Sequence, residues 1–110
     1  MKLYIAVLDD FPDYMVPTLV AHSMLGAHLY FENDTGYQEW LIHSFKKCVI
    51  RVNRKEYDKI IIGPYNMIYQ GHENNTLGGI KSCAIPLPCL NDSLPNVLKF
   101  AKLWKPVSVI

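Results

Sequence analysis

Residues 14–31 read Tyr-Met-Val-Pro-Thr-Leu-Val-Ala-His-Ser-Met-Leu-Gly-Ala-His-Leu-Tyr-Phe. Met15, Val16, Leu19, Val20, Met24, Leu25, Ala27 and Leu29 leave little of a helical surface polar. A helix that is apolar around most of its circumference is a buried helix, so Leu19 and Leu25 are both expected in the core. Pro17 fits only the first turn, where its missing N–H leaves no bond unmade. On this surface Thr18, His22 and Gly26 stand at i, i+4 and i+8 and form one small, polar stripe. Such a stripe is either the place where another backbone packs closely or the lip of a pocket.

Upstream, Leu3–Leu8 is apolar on both faces and predicts a strand covered on both sides. Asp9 to Asp13 reads as a loop. Downstream, Glu32–Gly36 is a turn, and Tyr37–Ser44 makes two turns of helix with Trp40 and Leu41 inward. Lys46–Val52 alternates and predicts a strand. Asn53 caps a short helix from Arg54, with Glu56 in its first turn, and Gly63-Pro64 ends it. Tyr65–Tyr69 predicts a third strand, Gln70–Gly79 a polar loop, and Ile80–Ile85 a fourth strand. Asn91-Asp92-Ser93 starts a last helix that runs to about Trp104. This order predicts an α/β fold, a three-layer sandwich around a four-stranded mixed sheet.

The 110 residues are expected to form a single domain, 1–110. Half are hydrophobic and 19% are charged, which excludes a disordered chain. No apolar run approaches the roughly 20 residues of a membrane helix, so no membrane partner is expected. Met1-Lys2-Leu3 opens a short apolar run without a small-residue cleavage site, so a cytoplasmic location is expected. Cys48, Cys83 and Cys89 are odd in number and widely spaced, which predicts buried thiols rather than a disulfide framework or a zinc site. No metal and no cofactor is expected.

Charge is unevenly placed. Residues 1–45 hold one base and six acids, and residues 46–110 hold ten bases and four acids. Six bases fall between Lys46 and Lys59. Lys46, Lys47, Arg51, Arg54 and Lys55 are the candidate contacts to RNA phosphate, with Tyr57 among them as a stacking platform. Glu56 and Asp58 interrupt the run, which is also the pattern of a solvated edge.

Order and residues together resemble the type II peptidyl-tRNA hydrolases. The resemblance covers roughly residues 2–104. It rests on the opening strand and its Asp-containing loop, Ala21-His22-Ser23 on the first helix, and Trp40 before the second strand. Lys46-Lys47 at that strand and Ile85-Pro86-Leu87-Pro88 after the last one complete it. It implies the family's small four-stranded α/β fold and an activity on peptidyl-tRNA. The chain departs from the pattern in a third helix shorter than the family's usual one and at two further places. Asp13-Tyr14-Met15 stands where the family has lysine before the first helix, and Gln70-Gly71-His72-Glu73 lacks the family's aspartate after the third strand. An uncharacterised branch of the superfamily also lacks much of that site, and the Pro-rich helix entry is similar to it.

Ester hydrolysis needs an activated water and donors for the oxyanion. His22 is the candidate to polarise water, His72 and Glu73 are the second acid and base, and Asn74, Asn75 and Thr76 are donors. Lys81 is the candidate displaced cation. Thr18, Gly26, Asn74 and Asn75 are the expected pocket. Asp9 and Asp10 belong to the same sheet edge if the loops after the first and third strands open together. With lysine and aspartate missing, hydrolysis is expected to be lost or altered, leaving a domain that binds tRNA or a protein partner, with a homodimer as a further expectation. The alternative is an active hydrolase with a site rearranged around His22.

Overall fold

A computed structural model describes residues 1–73, 80–90 and 94–106. Leu3–Leu8 forms β1, and all but Tyr4 are buried, as a strand covered on both faces requires. A 3-10 turn at Asp13–Met15 leads into α1, Val16–Phe31, with Pro17 in its first turn. Asp34 caps α2, Thr35–Glu39, by accepting the Tyr37 N–H at 2.8 Å. A π-helical turn at Trp40–Ser44 follows and ends at Phe45, whose φ of 59° is left-handed. Trp40 is buried, and its indole N–H donates to the Lys46 carbonyl at 2.6 Å, which fixes the entry to β2, Lys47–Val52.

Asn53 then starts α3, Arg54–Ile61, through a reciprocal capping box with Glu56. β3 is Ile68–Glu73, β4 is Ile80–Pro86, α4 is Asn96–Lys99 and β5 is Lys102–Leu103. The sheet order is β3-β4-β1-β2-β5, with β1 and β2 parallel and the other pairings antiparallel. Alternate residues of β3 meet opposite layers. Tyr69 and Gly71 lie against Gly26 and Ser23 of α1, and Gln70 between them lies 3.2 Å from the Tyr57 hydroxyl of α3. Helices therefore cover both faces of the sheet.

Three expectations are corrected. The described sheet has five strands, not four, because the predicted last helix stops after one turn at Lys99. The open edge of β2 competes for that backbone: Leu103 pairs with Ile50, and the Trp104 N–H donates to the Val49 carbonyl at 2.9 Å. Second, the third strand begins at Ile68 and continues through the polar Gln70–Glu73, which reads as a loop in sequence. An edge strand accepts polar residues, and the Gln70 side chain has a partner in Tyr57. Third, α1 is buried on one side only. Leu19 is 2% exposed but Leu25 is 66% exposed, because the sheet lies under the face that carries Leu19 and no described element covers Leu25. Asn74, Asn75, Thr76 and the Asn91-Asp92-Ser93 helix start lie outside the described residues.

Candidate functional site

Of the candidate catalytic residues His22, His72, Glu73 and Lys81, the side chains of His72 and Glu73 lie outside what the structure describes, and those of His22 and Lys81 are both exposed. Thr18 and His22 are exposed on the outer part of α1. Gly26 continues their line inward, but its space is taken: a Cβ there would lie 2.6 Å from the Tyr69 Cζ. The stripe thus marks close packing at Gly26 and open solvent at Thr18 and His22. His72 stands opposite Lys81 in the β3–β4 register and Glu73 opposite Ile80, and the Lys81 side chain is exposed. Asp9 and Asp10 follow β1 and are also exposed.

The basic run is divided. Lys46 and Lys47 stand at the start of β2 and Arg54 and Lys55 beyond its end, so the strand between them, about 17 Å long at a rise of 3.3 Å per residue, divides the two pairs. Arg51 is engaged. Its guanidinium bonds the Asp13 carboxylate at 2.8 Å and the Lys105 carbonyl at 3.0 Å, and lies 5.8 Å from the Trp104 ring centroid. Arg54 faces Asp10 at 3.8 Å across an exposed gap. Tyr57 is buried, so it packs the core instead of offering a face to a base.

The thiols behave as small apolar groups. All three cysteines are free, but only Cys83 is buried; Cys48 and Cys89 are half-buried, which corrects the expectation of three buried thiols. Burial pushes each of them above the ordinary 9.0, most completely Cys83, which keeps the nucleophilic thiolate scarce. Burial also pushes Tyr57 and Tyr65 up to about 12. Among the described residues no group of three His, Cys, Asp or Glu side chains gathers in a way that would hold a metal, and no helix is long and apolar enough to cross a membrane.

What the sequence reading missed is an apolar groove of about 360 Å³ on the outer side of α1. Ala21, Met24, Leu25 and His28 form one wall, and Tyr37, Trp40, Leu41 and Phe45 form the other, with Lys47 at its end. The Lys47 ammonium lies 3.3 Å from the Phe45 ring centroid and donates to the Phe45 carbonyl at 2.9 Å. His28 Nδ1 and the Tyr37 hydroxyl meet at 2.9 Å in the groove floor. Leu25 and Phe45 of this lining stand exposed. The signal was present in the sequence as an excess of apolar residues on α1 over what one face holds. A second cavity of about 420 Å³ is bordered by Thr35, Tyr65, Asn66, Leu87 and Cys89, and neither His22 nor Lys81 is among its lining residues. A scan against protein-family models finds no match to this chain, and a search of curated proteins finds none either.

Proposed function

We propose that this chain is a peptidyl-tRNA hydrolase-like protein that acts by binding a protein partner, not by hydrolysing peptidyl-tRNA. The observation that carries the reading is the apolar groove between α1 and the π turn, lined in part by exposed Leu25 and Phe45. Contiguous exposed apolar surface of this kind is what an apolar anchor from another protein covers. The division of the basic run and the engagement of Arg51 by Asp13 favour protein over RNA. The exposure of His22 and Lys81 weighs against hydrolysis, because oxyanion stabilisation depends on donors fixed in a water-excluded site.

Two measurements test this. Peptide release from peptidyl-tRNA should stay at background for the wild type, His22→Ala and Lys81→Ala. Robust turnover that His22→Ala abolishes would instead establish a rearranged hydrolase. Photo-crosslinking from a reactive residue at Leu25 should trap protein, while the same residue at Lys55 should trap neither protein nor RNA. RNA trapped from Lys55 would overturn the choice of partner.

A further inference from the structure

The described sheet ends at β3, and the pairing fixes which β3 backbone groups are used. The Leu87 N–H donates to the Met67 carbonyl at 3.2 Å. From there the register sets Ile68 opposite Pro86, Tyr69 opposite Ile85, Gln70 opposite Ala84 and Gly71 opposite Cys83. Hydrogen-bonded and non-bonded pairs alternate along an antiparallel ladder. The phase set at Met67 therefore places Tyr69 and Gly71 in bonded pairs. Pro86, which has no N–H, falls at a non-bonded position, as the alternation demands. The N–H and C=O of Ile68 and Gln70 then point away from β4, and no described strand lies beyond them. Natural edges are blunted by Lys, Pro or a bulge. Ile68–Gly71 carries none of these, and the register shift comes after it, between Gly71 and His72.

We propose that β3 pairs antiparallel with β3 of a second copy of this chain, about a two-fold axis through Tyr69, so that the two sheets become one. The pattern of free groups is self-complementary. Ile68 exchanges N–H···O=C bonds with Gln70 of the partner subunit, and the axis repeats the exchange from Gln70 to Ile68 of the partner subunit. Tyr69 meets the partner's Tyr69 at a non-bonded pair, where opposite side chains come closest. Its ring lies on the α1 side, 5.8 Å from the half-exposed Tyr30 ring.

Charge selects the second copy as the occupant. A two-fold axis brings each side chain near its own image, so a charged edge would repel itself. No Asp, Glu, Lys or Arg occurs from Ile60 to His72, in a chain that is 19% charged. The α1 helix fits the same edge: Tyr30 stands one i+4 step beyond Gly26, and both lie against Tyr69 of β3. The partner-binding groove lies on the other side of α1 and stays open.

Sedimentation equilibrium tests the pairing. The wild type should show twice the 12.6 kDa of one chain. Gln70→Pro removes an outward N–H without touching a β3–β4 bond. It should give a monomer with an unchanged far-ultraviolet circular dichroism spectrum. Should that variant fail to fold, cysteine crosslinking decides. Tyr69→Cys should link to itself under oxidation, since the axis passes through it, while Gln70→Cys should link no more than the wild type. A wild type that remains monomeric, or a dimer in which Tyr69→Cys forms no specific crosslink, overturns the proposal.

Discussion

The Arg51 guanidinium on β2 bonds the Asp13 carboxylate at 2.8 Å, joining the acidic loop after β1 to the middle of the basic run. Two residues that look in sequence like parts of separate ligand sites are each other's partner. Arg51 also holds the Lys105 carbonyl and lies over Trp104, so one side chain ties the helix entry, β2 and the segment after β5 together.

Replacing Arg51 by Ala should therefore cost stability and not RNA affinity. A partly buried, charge-assisted bond of this kind contributes about 1–2 kcal/mol. Urea unfolding checks the loss, and it should shrink in high salt as the ion pair is screened. A binding titration with tRNA should not separate the variant from the wild type.

Leu19 and Leu25 should separate by unfolding energy although both sit on α1. Leu19→Ala removes a buried side chain and should cost about 2–5 kcal/mol. Leu25→Ala changes an exposed groove residue and should stay within about 0.5 kcal/mol. Parallel denaturant titrations measure both.

Gly71 of β3 is required by the approach of Ser23. A Cβ at Gly71 would lie 2.8 Å from the Ser23 Cβ and 3.3 Å from its Cα, so backbone must shift to admit it. Gly71→Ala should destabilise by about 1–3 kcal/mol through overpacking. Ser23→Ala removes the Ser23 Oγ, the nearest obstruction, but leaves its Cβ at 2.8 Å, so it should restore only part of the loss. Thermal melts of the two single variants and the double variant decide this.

Alkaline pH should unfold the protein through its buried phenols. Burial raises Tyr57 and Tyr65 from 10.0 to about 12. The unfolded chain thus loses these protons first, and stability falls as pH rises from about 10 towards 12. Below pH 10 both states keep the protons and this contribution is complete. The Cys83 thiol, raised from 9.0, acts in the same direction from a lower starting pH. Melting temperatures should be flat up to that region and then drop, and Tyr57→Phe should shallow the drop.

Local chemistry was legible in the sequence wherever neighbours along the chain decide the outcome. The Asn53–Glu56 cap, Pro17 in the first turn of α1, and the doubly covered strand β1 all follow from short-range sterics and hydrogen-bonding, so the residue types suffice. The alternating residues Lys47–Val52 gave β2 for the same reason.

Tertiary structure alone decided the rest, because those features depend on what lies across space. Leu25 and Leu19 are the same residue type on one helix, and the sheet lies under only one of them. Gln70–Glu73 is polar enough to read as loop, yet β4 supplies a ladder that makes it strand. Leu103 stands at helical spacing, but the open backbone of β2 took it for β5. Arg51 is one of six bases in a short run, and its role was set by a carboxylate 38 residues away. Hydrophobic pattern tells a chain what to bury, while the number of unpaired strand edges and uncovered helix faces is fixed only once all elements share one space.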